Sequence, residues 1–445
     1  MLTNFYEPKP QKFRQNFVRW LYTVFIIFSY LRGLLGLKKT KSPLGVNTKA
    51  QLYTNLKVGG IHLHCTSINE INIVQGLVNE WLNAYPKNQV TLSTPSVECA
   101  QFALNVFNNK VQHAIVEYDL RTYLQPFINA LKPQVSLLVG ANIWPNLLQI
   151  CYQNNIACAL INASMHQSEL SYAKRYAWLY RNTLRRFDAI CTIDRESFEN
   201  FLAFGMYKPQ LHISRNIKFD ILPDPKDEVL GEAFVSYFGF ENDTFILGAG
   251  TSEAEEKQLL NVFLAMKKHH TTLRLVVVPL SRASYDDVCL KFRASGLETY
   301  QYSDYLNNEK TLDVSLRPSH VPDCIVVNSI SMLNALSSSA FLSFIGSSDA
   351  SLVGQSCMQG ALNCKPMMIN AAGFDSDMVC DYLHNLNALA VVNNSRELYE
   401  ATEHWLTNKE LAKFDGERGS KALLRNGGAI EITMNLIHRL IEKHK

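Results

Sequence analysis

Long apolar runs, metal-ligand spacings and charge of one sign are all scarce in this chain of 445 residues. Lys and Arg number 43 against 40 Asp and Glu, a formal net charge of only +3, so nothing in the charge argues for a nucleic-acid partner. No C-x-x-C pair occurs, and no Cys/His cluster has zinc spacing. The ten cysteines lie far apart, and the pairs Cys151/Cys158 and Cys357/Cys364 look like ordinary apolar positions. They read as reduced thiols in a cytosol-facing protein, with no metal or other cofactor implied. Repeats and low-complexity tracts are absent. The longest uncharged apolar run, Trp20 to Leu31, would cover only about 18 Å as a helix, against roughly 30 Å of hydrocarbon core.

What is present is a globular composition, 47% hydrophobic and 19% charged, long enough for two or three domains. The short apolar run predicts an amino-terminal membrane anchor (residues 1–45). It either spans, if Arg19 and Arg32 snorkel, or lies in one leaflet. No small-residue cleavage site follows it. Arg32, Lys38, Lys39 and Lys41 come next, which favours a main body on the cytoplasmic side of a membrane.

From residue 58 onward, strand-like apolar runs alternate with helical patterns. Val135 to Val139 is continuously apolar, as a strand buried on both faces should be. Strands are expected at Ile61 to Cys65, Gln89 to Ser93, Val111 to Val116, Ala157 to Asn162, Ala189 to Ile193 and Leu211 to Ser214. Pro223 and Pro225 mark a linker. A second series runs Phe245 to Gly250, Leu273 to Val278, Cys324 to Val327, Ala340 to Ile345 and Pro366 to Ile369, ending in an amphipathic helix, Ile430 to Lys443. The fold class is α/β: two doubly wound Rossmann-like domains, 46–222 and 223–445 with the terminal helix in the second, facing each other across a cleft behind the anchor.

The stretch from Gly59 to Leu77 organises the rest. Its strand breaks at Thr66-Ser67 and turns helical, with Ile71, Val74 and Leu77 on one face. Glu70 falls in the first helical turn, just beyond a strand's carboxyl end, where open α/β sheets bind ligands. A carboxylate here is either a general base or a charge favourably placed at a helix amino terminus. His62 and His64 share a strand face without a third ligand, so they read as hydrogen-bonded sheet residues. Lys174, Trp178, Arg181 and Arg185, at i, i+4, i+7 and i+11, gather three cations around an indole. That face suits anionic headgroups or phosphates, or is simply solvated.

The segments IHLHCTSINE, TLSTPS, VQHAIVEYDL, IWPNL, INAS, NIKFD, GTSEAEE and VVP, in this order, resemble the 3-deoxy-D-manno-octulosonic acid (Kdo) transferases of lipopolysaccharide synthesis. The resemblance covers nearly the whole chain. It implies a B-type glycosyltransferase, inverting and metal-independent, at the bacterial inner membrane with its anionic lipids. The partners would be CMP-Kdo as donor and the lipid A precursor as acceptor. A nucleotide phosphate is already a good leaving group, so the chemistry needs a base and groups that hold the phosphate. The resemblance assigns the base to Glu70, donor contacts to Lys218, Thr251, Gly346 and Ser347, and an acceptor-side place to Asn142; the Lys174, Arg181 and Arg185 face, read from its spacing, would add acceptor contacts.

Several positions depart from the family. Asn142 stands where a second glutamate is usual, and an amide cannot accept a proton. Leu280 replaces an arginine, leaving Arg282 as the available cation. Gln355, Ser356 and Gln359 replace a His-Asn pair and a glutamate that clasp the nucleotide, and Ser252 replaces a histidine. Two readings follow: a divergent active transferase, of Kdo or a related sugar acid, or a catalytically impaired paralogue acting as a membrane-bound binding or scaffold protein. A nucleotide-sugar epimerase or hydrolase would need a second carboxylate in the first-domain loops and no anchor.

Overall fold

The computed structural model describes residues 17, 19–24, 26, 56–141, 143–220, 223–281, 285–374 and 378–444. Two compact units emerge: Met1–Asp220 together with Asn426–Lys445, and Ile221–Arg425.

The first unit is a seven-stranded sheet ordered β3-β2-β1-β4-β5-β6-β7, every pair parallel. Its strands are β1 Ile61–His64, β2 Val90–Thr94, β3 Gln112–Ile115, β4 Val135–Val139, β5 Ala157–Ala163, β6 Ala189–Thr192 and β7 Leu211–Ile213. Strands β1, β2, β4 and β5 are buried along their whole length, which is why their sequences are apolar or hydrogen-bonded throughout. Alternate residues feed two cores. Leu63, Leu92 and Leu137 pack on one face; Leu138, Leu160 and Ile190 pack on the other.

The second unit repeats the plan in the order β10-β11-β9-β8-β12-β13-β14. Its strands are β8 Thr244–Thr251, β9 Leu273–Pro279, β10 Thr299–Gln301, β11 Cys324–Val326, β12 Leu342–Ile345, β13 Met367–Asn370 and β14 Ala390–Val392. The edge strands β10 and β14 are not among the strands expected from the sequence.

The terminal helix, Ala429–Lys443, does not belong with the second unit, where the sequence puts it. Leu436, Ile437 and Leu440 are buried in the core beside Val74, Val78 and Trp81 of the helix Ile68–Ala84. The His438 ring stacks on Trp81 with centroids 5.1 Å apart. Asp220, the last residue of NIKFD, accepts from the backbone of Gly428 at 2.7 Å and Ile430 at 2.5 Å and so caps that helix. Amphipathic periodicity announces a helix but says nothing of which sheet it covers.

The expected anchor lies largely outside the described residues. Residues 17, 19–24 and 26 are helical, and among the described residues no helix is long and apolar enough to cross a membrane.

Candidate functional site

Strand order reverses between β1 and β4 in the first unit, and between β8 and β12 in the second. Crevices at such reversal points are where open α/β sheets take their ligands. Glu70 lies at the first of these places, and Thr251, Gly346, Ser347, Gln355, Ser356 and Gln359 lie near the second.

In the first unit, Ser67 caps the helix Ile68–Ala84 from an extended conformation, accepting from the Glu70 amide. Glu70 folds back over the helix start. Its Oε2 accepts from the Thr66 backbone at 2.6 Å, and the Thr66 hydroxyl donates to the same carboxylate at 3.1 Å. Across the reversal point, β4 ends at Gly140, whose φ of +71° suits glycine. A Cβ there would lie 3.6 Å from Glu70 Oε1, so carboxylate and turn adjoin. Glu70 therefore pairs with its own helix start and lies at the ligand edge of the sheet, a placement compatible with either role. Asn142 lies outside the described residues.

Beneath this edge, His62 is bridged by Ser136 and Ser93, and His64 Nδ1 meets the same Ser93 hydroxyl, each contact 2.8 Å. Burial pushes both imidazoles down to about 3, so they are neutral sheet residues, as their spacing suggests. The His64 ring packs against Trp144 of IWPNL, with centroids 3.8 Å apart. Among the described residues no group of three His, Cys, Asp or Glu is placed to hold a metal ion.

Asn162 of INAS adopts φ +50° at the irregular end of β5, and its side chain accepts from Ile217 of NIKFD at 2.9 Å. These two motifs are thus one structural joint. Lys218 lies beside it, half-buried, in the first unit.

The expected basic helix face does not form as drawn. The helix breaks at Tyr176 into Gln167–Arg175 and Ala177–Leu184. Arg181 Nε donates to the Phe204 carbonyl at 2.9 Å, and Arg185 Nη2 donates to that of Gly205 at 2.7 Å. Both guanidinium groups also lie over rings, of Phe204 and Tyr207. They satisfy the carbonyl end of the helix Arg195–Ala203, which favours cations, and are committed there. Lys174 remains exposed, as do Trp178 (47%) and Tyr172 (56%).

In the second unit, Thr251 is buried at the end of β8, and Gly346-Ser347 follow β12. A Cβ on Gly346 would strike the Gly250 carbonyl at 2.1 Å, so this glycine serves close backbone contact. Its amide donates to Ala249 at 2.9 Å, and that of Ser347 donates to Glu255 at 2.8 Å. Glu255 also takes the Ser347 hydroxyl at 2.6 Å and the Ser252 amide at 2.8 Å, tying both turns together. These amides are already used internally, so the donor contacts expected of Gly346 and Ser347 cannot come from open backbone amides. Glu253 pairs with Lys291 at 2.6 Å, and buried Glu256, beside Thr251, is pushed up to about 7 chiefly by burial. The acidic turn is thereby turned inward or neutralised. Arg282 lies outside the described residues.

Gln355, Ser356 and Gln359, on the helix Ala350–Leu362, do come together. They line a cavity of about 30 Å³ with Asn334, Ser337 and Ser343, floored by β8 and β12. Ser343 is 2% exposed and its hydroxyl has no hydrogen-bond partner among the described residues. Such an orphan is uncommon in a folded interior. The wall is amide, hydroxyl and aliphatic, without a charged group. Asn334, Ser337 and Ser343 carry no motif and were invisible in the sequence; only the packing of two helices on one sheet assembles them.

Two parallel α/β units, each with a strand-order reversal, form the doubly wound plan expected of a B-type glycosyltransferase. The family model described as 3-deoxy-D-manno-octulosonic-acid transferase (kdotransferase) matches residues 36–221. A 3-deoxy-D-manno-octulosonic acid transferase of Haemophilus influenzae is 23% identical over 93% of this chain and 95% of its own. That of Chlamydia muridarum is 21% identical over 85% of each. Over most of its length the chain is thus similar, at low identity, to Kdo transferases. Its fold is shared with a UDP-GlcNAc 2-epimerase from Neisseria meningitidis (TM-score 0.58, 12% identity, 86% of this chain and 100% of that one). It is shared too with a glycosyltransferase from Rickettsia africae (TM-score 0.52, 10% identity, 86% and 99%).

Proposed function

We propose that the protein transfers Kdo from CMP-Kdo to a hydroxyl of the lipid A precursor, with inversion and without a metal. The acceptor oxygen bonds to the anomeric carbon as the bond to the phosphate oxygen breaks. CMP leaves, and the acceptor proton passes to Glu70. The observation that carries this reading is the Glu70 carboxylate beside Gly140 at the β1/β4 reversal, oriented by Thr66. A carboxylate oriented at this edge can accept the proton of an incoming hydroxyl, and positioned bases of this kind typically contribute about 10²–10⁴-fold. The relatives' names support the sugar.

We also assign the protein to the cytoplasmic face of the bacterial inner membrane, held by its first 45 residues against anionic lipid. Phe17, Trp20, Leu21 and Val24 support this, being 40–58% exposed on the short amino-terminal helix. Vesicle flotation of the full chain and of one lacking residues 1–45 tests it; flotation of both would refute the assignment to that segment.

Membranes holding the protein, incubated with CMP-Kdo and lipid A precursor beside a Glu70→Gln control, test the reaction. Transfer by the parent alone is the expected result. The second reading, a binding or scaffold paralogue, is favoured by the uncharged cavity wall of Gln355, Ser356 and Gln359 and by the committed Gly346 and Ser347 amides. Transfer by neither protein would select it.

A further inference from the structure

Asp119, the acid of the YDL segment, serves the turn Trp144 to Leu147, whose last residue lies 28 positions further along the chain. It is 3% exposed. Its two carboxylate oxygens accept from the backbone of Asn146 and of Leu147, each at 2.9 Å, while its own carbonyl takes the Asn146 side-chain amide at 2.7 Å. The helix Pro145–Gln153 has no capping side chain of its own, since Trp144 occupies its cap position. Asp119 supplies that cap from outside, where a carboxylate is favoured by the helix dipole.

The same carboxylate is gripped from the other side by the amino-terminal helix. Tyr22 hydrogen-bonds to it, and Arg19 faces it at longer range, with Arg121 and Tyr180 the neighbouring titratable groups. Asn146 Nδ2 also donates to the Thr23 hydroxyl at 3.1 Å, and that hydroxyl donates to the Arg19 carbonyl at 2.9 Å. The helix is thus turned inside out: Arg19, Tyr22 and Thr23 face the protein while Phe17, Trp20, Leu21 and Val24 face away. For a mere tether, polar contacts to an internal turn serve no purpose. Burial pushes the Asp119 carboxyl up to about 7 against the donors of Asn146, Leu147, Tyr22 and Arg19, a sign of how much it depends on them.

We infer that Asp119 is a positioning residue that locks the turn Trp144 to Leu147 to the amino-terminal helix, so that the seating of that helix sets the geometry of this acceptor-side turn. The turn's catalytic relevance rests on the proposed transferase reading; the mechanical link does not.

Hydrogen exchange followed by mass spectrometry on the full-length protein tests the link without reference to activity. In Tyr22→Phe, which removes one hydroxyl, and in Asp119→Asn, which can accept from only one of the two amides, peptides spanning 143–150 should exchange about tenfold faster. Peptides from β1 and β2 should be unchanged. Unchanged exchange at 143–150 overturns the inference, and so does a uniform rise across the whole first sheet, which would mean general destabilisation. Where the parent transfers Kdo, Tyr22→Phe should raise the KM for the lipid acceptor several-fold and leave that for CMP-Kdo unaltered; equal effects on both would also overturn it.

Discussion

Glu70 and Ser343 stand at opposite extremes of how a polar side chain can be held. Glu70 has its orientation set by Thr66, so Glu70→Gln should keep the fold while removing the proton acceptor. Transfer is expected to fall by about 10³-fold with CMP-Kdo binding retained, measured by initial rates and calorimetry. A variant within tenfold of the parent would exclude Glu70 as the base. Ser343 is the reverse case, a buried hydroxyl without a partner. Ser343→Ala should leave the melting temperature unchanged or raise it, because an unsatisfied buried hydroxyl costs roughly 1–3 kcal/mol. If the small cavity receives part of the donor, the same variant should weaken CMP binding about five- to tenfold. Glu70 was legible because a motif and a strand end marked it. Ser343 was not, since nothing local distinguishes a serine beneath a cavity from any other strand serine.

Elements carry a pH dependence that single residues do not. Burial lowers His62 and His64 to about 3 and His113 to about 4, whereas the unfolded chain's histidines protonate near 6.5. Below 6.5 the unfolded state therefore binds more protons than the folded one. Stability of the first sheet should be full above pH 6.5 and decline as pH falls toward 4, by up to about 1.4 kcal/mol per pH unit for each histidine. Urea unfolding of the first unit at pH 7.5, 6 and 5 should show this, with a shallower slope in His64→Gln. An identical slope would show that these imidazoles do not govern it. At this scale the sequence is most informative where strands are long and apolar, as in β4 and β9. It fails for the edge strands β10 and β14, and for the basic segment after residue 166. There the spacing promised one continuous face, but a break at Tyr176 and the carbonyls of Phe204 and Gly205 redirected the arginines.

Across the whole molecule, the carboxyl terminus returns to the unit that the amino terminus begins. Removing residues 427–445 should expose the core around Trp81 and Val78, unfolding the first unit while leaving Ile221–Arg425 cooperative. Leu440→Ala should cost about 2–5 kcal/mol in the first unit alone. Limited proteolysis resolves the two outcomes; joint unfolding of both units would contradict the division.

Sequence by itself determined the strand alternation, the two-unit α/β plan and the identity of Glu70, because burial on both faces and a helix start at a strand end leave their mark on neighbouring residues. Tertiary structure alone decided which sheet the terminal helix covers, which amides are already spent and which serines, asparagines and glutamines meet around a cavity. Those outcomes depend on contacts between residues tens to hundreds of positions apart, and no local pattern encodes them.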